Sequence, residues 1–245
     1  MANVYQFFDE LTSWDENAND IFQLIPELVP MYGYEQKNPY HVYDVWNHTV
    51  AALVASNGDF ITNLAILFHD CGKPHSTQIG ENGIMHFRGH AKESIRIAKS
   101  ALDNLHIDND IQEQILLLIK YHDAPLQYDH KTVSSWNRKL GTKQFYRLLE
   151  LMRCDIMAQN PNLATERLEK LIKIREQLDS IVKAENEPVF KLAINGNDLK
   201  MAGYKEGPYI GITLRKIERD VKNGEIQNDR NKLLVLAKEM RLKKK

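Results

Sequence analysis

Leu64-Ala65-Ile66-Leu67-Phe68-His69-Asp70-Cys71-Gly72-Lys73-Pro74 is a short apolar run that ends in an imidazole and a carboxylate. Such a run is fit for burial in a helix. An adjacent histidine and aspartate at its C-terminal end are costly to desolvate unless something positive satisfies them. A divalent cation meets that need, so His69-Asp70 reads as half of a metal site.

The surrounding sequence supplies further donors, for all 9 histidines fall between His41 and His130. In His41-Val-Tyr-Asp44-Val-Trp-Asn-His48 the spacing puts His41, Asp44 and His48 along one helical face. His122 ends an apolar stripe through Ile111, Ile115 and Leu118, and Asp155 ends another through Leu148, Leu151 and Met152. A buried carboxylate without a partner is improbable. Taken singly, each histidine also reads as a hydrogen-bonded core residue. The ordered set of His48, His69-Asp70, His90, His122 and Asp155, drawn from successive helices, favours convergence on one site.

Helical periodicity recurs over 3–12, 17–29, 43–57, 61–70, 91–104, 110–122, 142–159 and 163–184, and strand signals are nearly absent. The expected class is all-α, a helical bundle. In Thr77-Gln-Ile-Gly-Glu-Asn82-Gly83-Ile-Met-His-Phe87 the Asn-Gly pair between short apolar stretches predicts a small hairpin or lid near the site. Residues 135–142 read as a connecting element, and Glu185-Asn-Glu-Pro188 as a break after the long helix. The expected division is a helical domain over 1–187 and a small helical appendage over 188–245. The glycines from Gly203 to Gly211 lack the context of a phosphate loop and read as turns between helices. Asp108-Asn109-Asp110 reads as a helix cap.

With 245 residues and 43% hydrophobic content the chain can bury a full core. No apolar run approaches the ~18 residues of a membrane span, and the N-terminus has no basic segment leading into an apolar one. Neither membrane nor export is expected. The 2 cysteines, Cys71 and Cys154, offer no disulfide framework and suit a reducing cytoplasm. Overall charge is −1, yet residues 214–245 carry eleven Lys or Arg against five Asp or Glu. That split reads either as a face toward RNA or as a solvated helix end.

His48, His69-Asp70 and Asp155, in this order, resemble the signature of the HD-domain superfamily of metal-dependent phosphohydrolases. His69 to Pro74 is similar to the extended form of its central motif. His86-Phe-Arg-Gly-His90 with Ser94, Tyr121-His122-Asp123, and the tail with Ile194-Asn-Gly-Asn-Asp198, Gly207-Pro208 and Asn228-Asp229-Arg230 look like the HD domain and following region of bacterial tRNA nucleotidyltransferases, the CCA-adding enzymes. The Gly-Ser and Asp-x-Asp arrangement of the nucleotidyltransferase head is missing, so this chain is not expected to add nucleotides alone.

The resemblance implies His48, His69, Asp70 and Asp155 as ligands of one divalent ion, with His90 and His122 joining Asp70 around a second. Manganese, nickel, cobalt, iron, magnesium and zinc are all candidates, and histidine-rich ligation favours a transition metal over calcium. The implied activity is that of a phosphatase or phosphodiesterase acting on a nucleotide or RNA-end phosphate through a metal-activated water, with Asp70 and Lys73 as catalytic residues. Lys73, Arg88, His86 and His41 are candidates for substrate contact. Asp44 either orients His48 or a metal-bound water, or caps its helix. Lys73 is either a phosphate contact or a surface charge. The alternative function is a non-catalytic tRNA- or partner-binding module that keeps a structural metal, and a separately encoded nucleotidyltransferase head is a conceivable partner.

Overall fold

The computed structural model describes residues 17–186 and 190–242, so the helical periodicity at 3–12 and the three terminal lysines lie outside the described residues. The chain divides into two compact units, Met1–Asn186 and Glu187–Lys245. Helices carry both, and the one sheet among the described residues is a two-stranded hairpin. The all-α class follows.

In the first unit the order is α1 (Ala18–Leu24), a 3-10 segment (Pro26–Met31), α2 (Val45–Val54), α3 (Phe60–Phe68), a 3-10 turn (Lys73–His75), β1 (Gln78–Ile79), β2 (Met85–His86), α4 (His90–Asn104), α5 (Asn109–Tyr121), α6 (His130–Leu140), α7 (Thr142–Met157) and α8 (Pro161–Asn186). Helix α3 is the centre. Asp59 caps it by accepting from Thr62 N at 3.1 Å. Ile61, Thr62 and Leu64 through Phe68 are all buried, as expected of a helix apolar on every side. It packs against α2, α5 and α7. Arg147 of α7 chelates the Asp59 carboxylate through Nε at 2.9 and 3.1 Å and through Nη2. The same residue thus starts α3 and ties it to the helix that carries Asp155.

Three expectations need correction. The periodicity over 17–29 is interrupted, because Pro26 and Pro30 cannot continue an α-helix and the chain turns into 3-10 geometry. Residues 135–140 belong to α6 instead of a connector. That helix has an Asp129 cap accepting from Thr132 N at 3.0 Å, and Trp136 packs against Tyr121 and Phe145 at ring distances of 5.1 and 6.4 Å. Its polar middle, Ser134-Ser135 and Asn137-Arg138-Lys139, hid the apolar positions 133, 136 and 140. His41 precedes α2, which begins at Val45, so it does not share a helical face with His48.

The hairpin forms where Asn82-Gly83 places it. Gly83 has φ +74°, the left-handed region that glycine enters without cost, and Ile84 N donates to Asn82 Oδ1 at 3.1 Å. Gln78 pairs with His86 and Ile79 with Met85.

The second unit holds α9 (Gly196–Met201), α10 (Pro208–Lys222) and α11 (Arg230–Leu242) around Ile194, Leu199, Ile217, Leu233 and Ala237. Asn195 and Asp198 form a capping box at the start of α9, and Arg230 holds Asp198 at 2.6 Å. Gly203 and Gly207 lie in turns, whereas Gly211 lies inside α10. No helix among the described residues is long and apolar enough to cross a membrane.

Candidate metal centre and active site

Five helix ends deliver the donors. His48 comes from the first turn of α2, His69 and Asp70 from the C-terminal end of α3, His90 from the start of α4, His122 from the end of α5, and Asp155 from the last turn of α7. All six are buried. Two groups could each hold a metal ion: His48, His69, Asp70 and Asp155, and Asp70, His90 and His122. Within each, the donor atoms lie within 4.8 Å of one another. Asp70 belongs to both, offering Oδ2 to His48 and His69 at 3.5 and 3.2 Å and Oδ1 to His90 and His122 at 3.3 and 3.8 Å.

The imidazoles are aimed by the backbone. Nδ1–H of His69 donates to Ile66 O at 2.7 Å, that of His122 to Ile119 O at 2.7 Å, that of His90 to Phe87 O at 2.9 Å and that of His48 to Ala158 O at 3.3 Å. A carbonyl can only accept, so each bond fixes the proton on Nδ1 and turns the Nε2 lone pair inward. Two such lone pairs, on His90 and His122, then face each other at 3.0 Å. Only a proton or a cation between them relieves the repulsion.

Two further atoms at the centre are left over. His69 Nε2 and Asp70 Oδ2 are buried without a hydrogen bond, although Lys73 Nζ lies 2.6 Å from that carboxylate oxygen. Ion pairing is present there, but the directional bond is not. Convergent imidazole nitrogens, shared carboxylates and orphaned buried atoms together fit a divalent ion.

Without an ion, protons balance the charges. Burial disfavours the imidazolium of His69, but Asp70 and Asp155 beside it outweigh that and push it up to about 10. Burial likewise opposes ionisation of Asp70 and Asp155, and their partners hold both well below the usual carboxylate range: the charges of His69 and Lys73 for Asp70, the imidazoles of His48 and His69 bonded to it for Asp155. An ion entering at pH 7 must displace the His69 proton. Apparent affinity therefore rises with pH toward 10, by about tenfold per unit for one proton released. Calorimetric titration of manganese into metal-free protein, in two buffers of unlike ionisation enthalpy, is expected to show at least one proton released per ion.

The other predicted residues fall as follows. Lys73 is buried and spoken for, with Asp70 Oδ2 at 2.6 Å, Gln36 Oε1 at 2.8 Å and His41 Nε2 at 3.2 Å. His41 is held by Asn38 Oδ1 at 2.8 Å, and burial, then the charges of Lys73 and His48, bring it down to about 3. It faces the site as a neutral ring. His86 and Arg88 are exposed on the rim. Asp44 is a helix cap, since Asn47 N and Nδ2 engage its oxygens at 2.8 and 2.7 Å, and the Ala158 carbonyl orients His48 instead. Burial pushes the Cys71 and Cys154 thiols up, which keeps them protonated and suits packing.

Sequence reading missed four contributors. Asp123 reaches His90 Nε2 at 3.3 Å and His122 Nε2 at 3.6 Å, and could have been suspected as the second His-Asp pair of the chain. Gln159 donates Nε2 to both oxygens of Asp155 at 3.0 and 3.1 Å, and Arg167 donates to Gln159 Oε1. Gln36 holds Lys73. Nothing in the spacing marks Gln36 or Arg167. Asp70, His90, His122 and Asp155 open onto a cavity of about 810 Å³, lined also by Lys73, Arg88 and Arg167, a size ordinary for a small-molecule site.

None of the curated proteins matches the chain. A family model described as tRNA nucleotidyltransferase domain 2, putative, matches residues 84–237. The matched span includes His90, His122 and Asp155 and runs through most of the second unit, while His48, His69 and Asp70 precede it. Because that span is more than half of the sequence, the chain belongs to the tRNA nucleotidyltransferase domain 2 family.

Proposed function

We propose that this chain is a divalent-metal-dependent phosphohydrolase, a phosphatase or phosphodiesterase of the HD-domain type acting on a nucleotide or RNA-end phosphate. The observation that carries this reading is the sharing of Asp70 by two buried donor groups at the floor of a cavity rimmed by cations. His48, His69, Asp70 and Asp155 would hold one ion, and Asp70, His90 and His122, with Asp123 at the edge, a second. Ions held there supply Lewis acidity and a bound water acidic enough to react near neutral pH.

The chain's own residues do the positioning. The four backbone carbonyls keep the imidazoles in the ligating tautomer, and Gln159 fixes the Asp155 carboxylate. Lys73 acts on Asp70, keeping it ionised and oriented. His41, neutral, accepts from Lys73 Nζ through Nε2 and donates from Nδ1 to Asn38, so it steadies the ammonium that faces Asp70. Arg88 and His86 stand at the mouth, where an incoming phosphate first meets positive charge.

Purified protein incubated with each divalent metal and a panel of nucleoside monophosphates, 2′,3′-cyclic nucleotides and a generic phosphodiester tests the reading. Metal-dependent turnover of at least one of them is the expected result. Silence across the panel in protein that binds metal would overturn it in favour of a second reading, a tRNA- or partner-binding module with a structural metal. The family match favours that alternative to the extent that it extends over the second unit and omits His48, His69 and Asp70. Copurification of a nucleotidyltransferase head would point the same way.

A further inference from the structure

Beside the main cavity lies a smaller one of about 250 Å³, and the two share His122, Asp123, Asp155 and Arg167 in their walls. The smaller is below the roughly 300–1,000 Å³ of a site for a whole ligand, so it fits part of one. Leu126, Met152, Ile156, Leu171 and Ile174 form its apolar side. None of these offers a hydrogen-bond donor, and only the weakly accepting Met152 sulfur departs from pure hydrocarbon. Arg167 stands where the cavities meet. It is exposed, one of its nitrogens donates to Gln159 Oε1, and no other hydrogen bond or ion pair engages its guanidinium among the described residues.

Lys73, by contrast, has its ammonium occupied by Asp70, Gln36 and His41. A phosphate arriving at the donor groups thus meets one free planar cation on the α8 side. A guanidinium suits a phosphate because its N–H groups are set in a fork that engages two oxygens at once.

We propose that Arg167 and the apolar slot beside it form a phosphoester subsite: the guanidinium grips the phosphate, and the slot takes a flat aromatic ring carried elsewhere on the same ester, such as a phenyl group or the face of a nucleobase. This rests on the phosphohydrolase reading and adds a specificity to it. Since the apolar wall reads no base edges, the subsite favours esters that carry an aromatic group over those that do not and discriminates little among bases. Through Gln159, Arg167 is also linked to Asp155, so the cation that holds the phosphate bears on a metal-group carboxylate.

Non-hydrolysable phosphonates separate these parts. Calorimetry on manganese-loaded protein is expected to show phenylphosphonate binding about tenfold or more tighter than methylphosphonate. Arg167→Ala and Arg167→Lys should weaken both ligands by about tenfold, the lysine variant retaining its manganese. Leu171→Trp, which fills the slot, and Leu171→Ala, which strips its wall, should each abolish the preference for the phenyl ligand and leave methylphosphonate unchanged. Equal affinities for the two phosphonates in the wild type, or variants that bind both like the wild type, would overturn the subsite even if the protein hydrolyses phosphate esters. The expected pattern in a protein that hydrolyses nothing would support the subsite and overturn the phosphohydrolase reading.

Discussion

Replacing Asp70 by alanine is expected to leave both donor groups unable to hold the ions proposed for them and, on the phosphohydrolase reading, to lower turnover by at least about 10³-fold. The reason is the division of one carboxylate between two donor groups, Oδ2 facing His48 and His69 and Oδ1 facing His90 and His122. No neighbouring oxygen can take over both. Asp155→Ala should instead empty only the first group, and His122→Ala only the second. The metal-free fold will suffer too, because Lys73 is buried with its ammonium 2.6 Å from the lost carboxylate. Breaking a buried pair on one side costs about 3–5 kcal/mol. Metal per chain after dialysis, melting temperature and turnover, measured on Asp70→Ala beside Asp70→Asn and the two single-group variants, decide the matter. An Asp70→Ala protein that keeps one ion, or keeps its rate, would refute a shared ligand.

How much of this could be read from the sequence follows from which interactions are local. The apolar run into His69-Asp70 is a one-dimensional signal, and α3 is accordingly the buried centre of the bundle. Asp155 is at the end of a buried stripe for the same reason, and the Asn82-Gly83 turn is set by backbone conformation within a few residues. Helix α6 escaped because its apolar positions are few and its capping aspartate precedes a polar stretch. The residues that tune the site escaped for a different reason. Gln36 meets Lys73 across 37 positions, and Arg167 reaches back from α8 to Gln159 in the turn after α7. Such pairs exist only once the helices have packed, and a glutamine or arginine carries no periodic mark of what it will touch. Asp44 shows the reverse hazard: a carboxylate spaced for a site had a local use as a cap, and the local use holds both its oxygens.

Gly72→Ala should be nearly as damaging as loss of a ligand, although glycine here has an ordinary helical backbone with φ −81°. Conformation is not the constraint; space is. A Cβ on Gly72 would lie 2.3 Å from His90 O, 2.5 Å from Ser94 N and 2.9 Å from Ser94 Oγ. Two of these are backbone atoms of the first turn of α4, which no side-chain rotation can clear. Gly72 N also donates to Ser94 Oγ at 2.9 Å, so the turn after His69-Asp70 and the start of α4 are in direct contact. An alanine must push α4 away, and His90, its first residue, moves off Asp70 Oδ1 and His122 Nε2, now 3.3 and 3.0 Å distant. Overpacking of this kind costs about 1–3 kcal/mol, and the backbone contacts place the expected loss at the upper end. With both groups loaded as proposed, the variant's second donor group should fail to hold an ion while His48, His69, Asp70 and Asp155 still hold one, halving the metal per chain. Gly83→Ala is the informative control. Its φ of +74° strains an alanine by about 1 kcal/mol, but nothing lies within 4 Å of its Cβ, so both ions should stay. Should Gly72→Ala melt like the wild type and hold as much metal, the close approach of the turn to α4 does not set the second group.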